Sequence, residues 1–293
     1  MRVQTGVRPE QVRQAAQHTL FVEGQKASGF DPQILSTLLP PAVTVNPLGP
    51  SFSIKSVAEA MFPYHPTYYF LVDRDHHDDR TVERSWERFP DPDCSNILIW
   101  RRRELENYFI DPEYIGKSAY RTCGMEELCA RLCAAAQRRV YLEAANAVLT
   151  TVREFAKLKW IDLFDRADDF KTRDDGIRQL IGRPAYADWA NRMRGQMSEA
   201  SLTEQFEATL ALLTGGNERL EVGRGQWMHR MRGKKLLPTL VDACFKVTSE
   251  HGELIQGKRA IRVVVKGLLA LPTDRQPADF QQLHTLISAR LAG

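Results

Sequence analysis

The sequence predicts an α/β fold: a mostly parallel sheet flanked by helices, followed by a helical region. Two observations lead to this prediction. Short, continuously apolar segments alternate with segments of helical periodicity over the first third of the chain, as in parallel sheets covered on both faces. Beyond about residue 115, helical periodicity dominates. We therefore expect an α/β domain at 1–118, and at 119–293 a mainly helical domain or a helical insertion packed on the sheet.

Four segments have the apolar composition and length of strands. They are 19–24 (TLFVEG), 42–49 (AVTVNPLG), 68–75 (YYFLVDRD) and 96–100 (NILIW). The third segment runs directly into acidic residues. If its strand continues through them, Asp73 and Asp75 point to the same side of the sheet, because alternate strand residues share a face.

Helices are predicted between these strands from apolar residues three and four positions apart. They cover 31–39, 53–61 and 80–89, with Asp31 as a candidate N-cap of the first and Pro32 in its first turn. In the second part of the chain, helices are predicted over most of 125–160 and over 201–213, 234–248, 259–270 and 277–291. The polar or glycine-rich segments 165–184 and 214–225 are predicted to include loops.

The composition argues against several classes of protein. The chain has 293 residues, 43% of them hydrophobic, and a net charge of +3, which is too small to identify a nucleic-acid-binding protein. No window approaches eighteen uninterrupted apolar residues, and the first 17 residues lack the apolar stretch of a secretory signal. We therefore expect no membrane span and a cytoplasmic location. The five cysteines form no C-x-x-C pair, which disfavours a disulfide framework or a zinc ribbon.

Acidic residues lie at the predicted carboxyl ends of the strands, where sheets of this kind bind ligands. Glu23 and Gly24 close the first strand, and Asp73 and Asp75 close the third. Two carboxylates about 4 Å apart repel by roughly 4 kcal/mol at an effective dielectric of 20, unless a cation offsets them. We predict that Asp73 and Asp75 bind Mg²⁺ or Mn²⁺, and that Glu23 binds a second ion or acts as general acid or base. The alternative is a solvated loop of ordinary surface acids.

The segment 101–115 (RRRELENYFIDPEYI) follows the fourth strand. If it is helical, Glu104 shares a face with Asn107; if it is extended, Glu104 shares one with Glu106. We predict that Glu104 or Glu106 completes the site, and the spacing does not choose between them. Arg102 and Arg103 are predicted to hold phosphates, because the planar guanidinium suits them. The alternative is a charged helix start.

Two further groups of polar residues were considered. The run HHDD (76–79) is predicted to form a loop and helix cap rather than a set of metal ligands. Lys234 and Lys235, which follow His229 in QWMHRMRGKKLL, are predicted to contact the phosphate backbone from a helix. A solvated basic helix is the alternative for this second group.

In this order, the motifs resemble the Toprim domain of topoisomerases, primases and OLD-family nucleases. The matching segments are FVEG (21–24), PLG (47–49) and FLVDRD (70–75), and the resemblance covers roughly residues 18–115. The run RRRELENYFIDPE (101–113), followed by GKKLL (233–237), is similar to a narrower Toprim-containing family. That family includes AriB, the effector of the PARIS anti-phage system.

The resemblance implies a nuclease in which Glu23 is the catalytic acid or base and Asp73 and Asp75 bind Mg²⁺. It also implies host tRNA as the substrate and a separate ABC-type ATPase as the partner that restrains this toxic effector until infection. The chain itself has no G-x-x-x-x-G-K-[ST] motif for nucleotide binding. An OLD-type DNA-nicking nuclease and a non-catalytic module that binds nucleic acid or a partner protein remain alternatives. A homodimer is left open.

Overall fold

The predicted α/β class is confirmed in the computed structural model, which describes residues 18–61, 64–75, 77–91, 95–156, 164–182 and 198–292. Four strands form one parallel sheet in the order β2-β1-β3-β4. They are β1 (His18–Val22), β2 (Val43–Pro47), β3 (Tyr68–Val72) and β4 (Ile97–Ile99). The interpretations of residues 1–17, His76 and Cys94 lie outside the described residues.

Three helices connect the strands where helical periodicity predicts them: α1 (Phe30–Leu38), α2 (Ser51–Met61) and α3 (Asp79–Arg88). The cap predicted before α3 is present, since the side chain of Asp78 accepts the N–H of Thr81 at 2.8 Å. The cap predicted for α1 is wrong. Gly29 is the N-cap residue, and Asp31 lies in the first turn of the helix.

The third strand is buried along its whole length, which explains its continuous apolar composition. However, it ends at Val72, and the backbone of Asp75 has a positive φ of 42°. The prediction that the strand continues through Asp73 and Asp75 is therefore wrong. Their side chains are placed by a turn rather than by strand alternation, and aspartate is one of the residue types that tolerate this left-handed conformation.

The second part of the chain is mainly helical, as predicted. Its helices are α4 (Pro112–Ile115), α5 (Met125–Gln137), α6 (Val140–Ala156), α7 (Arg173–Gly182), α8 (Glu199–Thr214), α9 (Trp227–Arg230), α10 (Gly233–Cys244), α11 (Gly257–Leu269) and α12 (Ala278–Ala292). The helix predicted over 234–248 ends earlier, because β5 (Val247–Thr248) pairs with β6 (Leu254–Ile255) as a small antiparallel ladder. The helical segment 125–160 is interrupted between α5 and α6, and residues 157–160 lie outside the described part.

The helical region packs against the segment that follows the sheet. Arg101 donates to Asp279 at 2.7 Å, and the ring of Tyr108 lies 4.8 Å from that of Phe280. Both partners belong to α12, so the last helix returns to the residues after β4. The proposed division near residue 118 stays a prediction. In the described residues, no helix is long and apolar enough to cross a membrane.

Candidate functional site

The central pair of strands defines the position of the site. The chain passes from β1 to β2 on one side and returns to β3 on the other, so the carboxyl ends of β1 and β3 form a topological switch point. Glu23 follows β1 and Asp73 follows β3. The backbone N–H of Asp73 donates to Oε1 of Glu23 at 3.0 Å. The structure thus brings these two predicted residues together where an α/β sheet binds its ligand.

Two glycines hold Glu23 in place. The N–H of Gly24 donates to the carbonyl of Gly49 at 3.0 Å, and the reverse bond is 2.7 Å long. Gly24 has φ +135° and Gly49 has φ +87°, which disfavour any side chain at either position. The E-G and P-L-G motifs are therefore two halves of one loop contact.

A lysine lies among the acids. The Nζ of Lys234 is 2.9 Å from Oε1 of Glu104, and the backbone N–H of Lys234 donates to the other carboxylate oxygen at 3.0 Å. Lys234 lies in the first turn of α10, and Glu104 is only 4% exposed. The lysine side chain is half exposed, so its ammonium neutralises Glu104 and also faces solvent.

Asn107 positions this lysine. Its Oδ1 accepts the N–H groups of Glu104 at 3.1 Å and Gly233 at 3.2 Å, and its Nδ2 donates to the carbonyls of Met228 and Met231. A β-carbon on Gly233 would lie 2.6 Å from the backbone nitrogen of Asn107. The R-E-L-E-N and G-K-K motifs are thus one packed unit, although 126 positions separate Asn107 from Gly233.

Six carboxylates share one electrostatic environment, and we call them the acidic cluster. Its members are Glu23, Asp31, Asp73, Asp75, Glu104 and Glu106. Burial, followed by Asp75 and Asp31, raises the pKa of Glu23 to about 7. Burial, followed by Asp31 and Glu104, raises the pKa of Glu106 to about 8. Burial and the neighbouring carboxylates, whose effect Lys234 only partly offsets, therefore keep protons on both groups to a higher pH than usual.

Two further members show the same effect. Burial raises the pKa of Asp31 to about 6, with Glu104 adding to the effect and Lys234 opposing it. Burial, followed by Glu23, raises the pKa of Asp73 well above its usual range. For Lys234, burial disfavours the charged form, but Glu104 and Asp73 outweigh it and the pKa is raised. The lysine therefore stays charged throughout the physiological pH range.

These pKa values predict that the metal-free protein loses stability as the pH rises. The folded-state pKa values of Glu23 and Glu106 lie above their ordinary 4.5. Between about pH 4.5 and 8, the folded protein thus holds protons that the unfolded chain releases. Because each pKa unit corresponds to about 1.4 kcal/mol, the free energy of unfolding should fall by several kcal/mol across this window.

Urea titrations in EDTA between pH 5 and pH 8.5 measure this fall. Adding Mg²⁺ at pH 8.5 should restore most of the stability, because a cation replaces the missing protons. In Glu23→Gln the dependence on pH should be shallower. A stability that rises steadily from pH 5 to pH 8.5 would contradict the prediction.

The donor chemistry of the acidic cluster fits a hard divalent cation, because every member offers carboxylate oxygen and the cluster lacks positive charge. Within the part of the chain that the structure describes, no group of three or more His, Cys, Asp or Glu side chains is arranged to hold a metal ion. As the side chains stand, an ion would have at most two protein ligands. Mg²⁺ accepts that arrangement, since it keeps several of its own waters.

The predicted site residues divide into two sets. Glu23, Asp73, Asp75 and both candidate glutamates, Glu104 and Glu106, belong to the acidic cluster. Lys234 lies inside it, whereas Lys235 points away and pairs with Asp165 at 2.7 Å. His229 lies on α9, a separate short helix from the one that carries the two lysines. The predicted single basic helix face is thus not formed.

The two arginines predicted to bind phosphate have different surroundings. Arg102 pairs with Asp111 at 2.7 Å and lines, with His229, a cleft of about 720 Å³. Arg103 is 8% exposed and donates to the buried Glu143 at 3.3 Å. Arg103 is therefore inside the protein rather than on an open phosphate-binding surface.

Asp31 is the member of the acidic cluster that the sequence reasoning missed. It was interpreted as a helix cap, yet it contributes to the raised pKa values of Glu23, Asp73 and Glu106. The position of Asp31 in the sequence could have indicated this role. The helix after β1 must begin above the carboxyl end of that strand, so an acid in its first turn lies close to Glu23.

Comparisons with protein-family models and with curated proteins give no match.

Proposed function

We propose that the chain is a metal-dependent endonuclease of the Toprim type, with the acidic cluster as its active site. The observation that carries this proposal is the convergence of Glu23 and Asp73 at the switch point, linked by the 3.0 Å bond from the Asp73 N–H. Two other segments, the first turn of α1 and the segment after β4, add Asp31, Glu104 and Glu106 to the same place. Buried carboxylates with strongly raised pKa values are frequent in catalytic sites.

The protein residues divide the work as follows. Asp73 and Asp75 would hold the cation, which when bound stabilises negative charge on the phosphate and activates water. Glu23, with a pKa of about 7, exchanges a proton readily near neutral pH and suits a general acid or base. Glu104 and Glu106 support the site, and Glu104 fixes Lys234.

Lys234 supplies the permanent positive charge of the site. Its ammonium neutralises part of the acidic cluster and is half exposed, so a phosphate oxygen approaching from solvent can reach it. Arg103, which is buried against Glu143, acts as a positioning residue: its carbonyl accepts the N–H of Arg74 at 3.0 Å. That bond joins the segment after β4 to the D-R-D turn.

The substrate and the biological role come from the resemblance to the AriB family. On that basis we propose that the protein acts in the cytoplasm as a toxic effector of anti-phage defence and cleaves host tRNA in abortive infection. A separate ABC-type ATPase would restrain it until infection. The alternative within this proposal is an OLD-type enzyme that nicks DNA. A comparison of tRNA and plasmid DNA as substrates distinguishes the two.

Cleavage assays test the proposal directly. Purified protein is incubated with total tRNA and with supercoiled plasmid, in Mg²⁺, Mn²⁺ or EDTA. We expect cutting that requires the metal and falls at least about 100-fold in Asp73→Asn, since the substitution removes a charge that holds the cation. The exposed Asp168→Asn is the matched control and should cut normally. Cutting that persists in EDTA would overturn the mechanism.

One observation favours a second candidate, a non-catalytic module that binds nucleic acid or a partner protein. Lys234 already pairs with Glu104, and the described residues contain no group of three metal-binding side chains. This candidate predicts nucleic-acid binding that Asp73→Asn leaves unchanged, with no cleavage in any metal. Metal-dependent cutting would exclude it.

A further inference from the structure

A second, smaller cavity borders the acidic cluster. Its volume is about 190 Å³, room for about six waters at ~30 Å³ each. Asp75, Arg103 and Arg230 line it, and α6 and α8 supply most of the remaining wall. The threonines of that wall donate their hydroxyls to their own helices, as Thr150 and Thr209 do. The charged side chains of the wall are therefore two arginines, Arg103 and Arg230, and two carboxylates, Asp75 and Glu143.

In the wall of the cavity, one carboxylate faces three guanidinium groups. Glu143, only 1% exposed, accepts hydrogen bonds from Arg103 at 3.3 Å, Arg139 at 3.0 Å and Arg232 at 3.1 Å. Both oxygens of Glu143 are thus occupied by arginine donors. Because charges that are buried without balance are costly, this excess of positive charge favours a bound anion.

Arg230 adds positive charge at the wall of the cavity. Its partner Asp79, at 2.8 Å, also pairs with Arg74, so two arginines share one carboxylate. Burial, and then the charge of Arg74, lower the pKa of Arg230. Asp78 also acts on Arg230, and the Lys235–Asp165 pair lies near Arg139 and Arg232. Around the cavity and Glu143, six basic groups (Arg74, Arg103, Arg139, Arg230, Arg232 and Lys235) thus face five carboxylates (Asp75, Asp78, Asp79, Glu143 and Asp165), an excess of one positive charge.

Two donors of this group are unsatisfied. Arg103 is 8% exposed, and its Nε has no hydrogen-bond partner among the residues that the structure describes. The Nε of Arg139 likewise has no hydrogen-bond partner among these residues. A buried donor without a partner is destabilising, and the charged oxygens of phosphate are strong acceptors for guanidinium groups.

We propose that this cavity binds a phosphate group, with Arg103 and Arg230 as its charged contacts. The oxyanion is either a backbone phosphate next to the one that is cut or free inorganic phosphate. The backbone source rests on the proposed nuclease function, whereas binding of the anion itself does not. Because Asp75 belongs to both sites, a strand that enters the acidic cluster places its neighbouring phosphate beside Arg230.

Calorimetric titration with inorganic phosphate tests the cavity. Wild-type protein should bind it, and Arg230→Gln should bind at least about tenfold more weakly, because a charged contact is lost. Thr209→Leu, which fills the cavity without changing its charge, should weaken binding as well. The surface variant Arg131→Gln is the matched control. Absence of phosphate binding in wild type would overturn the proposal. So would an affinity equal to that of wild type in Arg230→Gln and Thr209→Leu.

Oligonucleotides distinguish the two sources. Binding is measured to Glu23→Gln protein with a single phosphate replaced by an uncharged methylphosphonate at successive positions. If the backbone fills the cavity, one position weakens binding with Arg230 present and has no effect in Arg230→Gln. If no position does so while inorganic phosphate binds, the free anion is the occupant. If the protein binds inorganic phosphate but cuts no nucleic acid, the nuclease proposal is wrong, whereas the assignment of the cavity as a phosphate site is retained.

Discussion

Glu23→Gln should reduce metal-dependent cleavage by about 10²- to 10⁴-fold, the usual contribution of a general acid or base. The amide keeps the size of the side chain, and its oxygen still accepts the Asp73 N–H that Glu23 accepts at 3.0 Å. What is lost is the proton with a pKa of about 7. Single-turnover cleavage rates between pH 5.5 and pH 9 measure the effect.

Stability measurements separate this loss from misfolding. Removing one carboxylate from an overcharged cluster should leave the melting temperature of the metal-free protein unchanged or higher. Glu59→Gln, an exposed glutamate on α2, is the control and should retain wild-type activity. Cleavage by Glu23→Gln within twofold of wild type would remove Glu23 from the mechanism.

Gly233→Ala should destabilise the fold by about 3 kcal/mol and abolish cleavage together with it. The added β-carbon would meet the backbone nitrogen and Oδ1 of Asn107, both at 2.6 Å. Overpacking against a rigid neighbour costs about 1–3 kcal/mol, and displaced buried hydrogen bonds of Asn107 add a similar amount. Urea unfolding followed by circular dichroism gives the free-energy difference.

Gly182→Ala is the matched control. A β-carbon there meets nothing within 4 Å, so its stability should stay within about 0.5 kcal/mol of wild type. If Gly233→Ala were equally well tolerated, the contact between α10 and the segment after β4 would not be the element that holds Lys234 in the site.

The sheet could be predicted from the sequence because its signal is local. The strand segments are short, apolar and separated by helical periodicity, and the observed strands lie within the predicted ranges or one residue outside them. The convergence of Glu23 and Asp73 followed from parallel topology alone. The geometry of the D-R-D turn did not follow, because the strand stops at Val72 and a left-handed residue, Asp75, redirects the chain.

The remaining features of the site depend on contacts between distant segments. Spacing could not choose between Glu104 and Glu106, and the structure places both in the acidic cluster. The environment of Lys234 depends on Asn107, far away in sequence. Arginine is a residue type that often binds phosphate, which is why Arg103 was a candidate. Its burial against Glu143 depends on how α6 packs, and periodicity does not predict that packing.

The distance along the chain between Asn107 and Gly233 has a consequence for synthesis on the ribosome. All six carboxylates emerge within the first 106 residues, with the sheet that positions them. The ammonium of Lys234 and the glycine that lets it reach Glu104 emerge well over a hundred residues later. A chain interrupted before residue 233 would therefore expose a repelling group of acids without its internal cation. On the proposed function, the active site would thus become complete only after residue 234 has been synthesised.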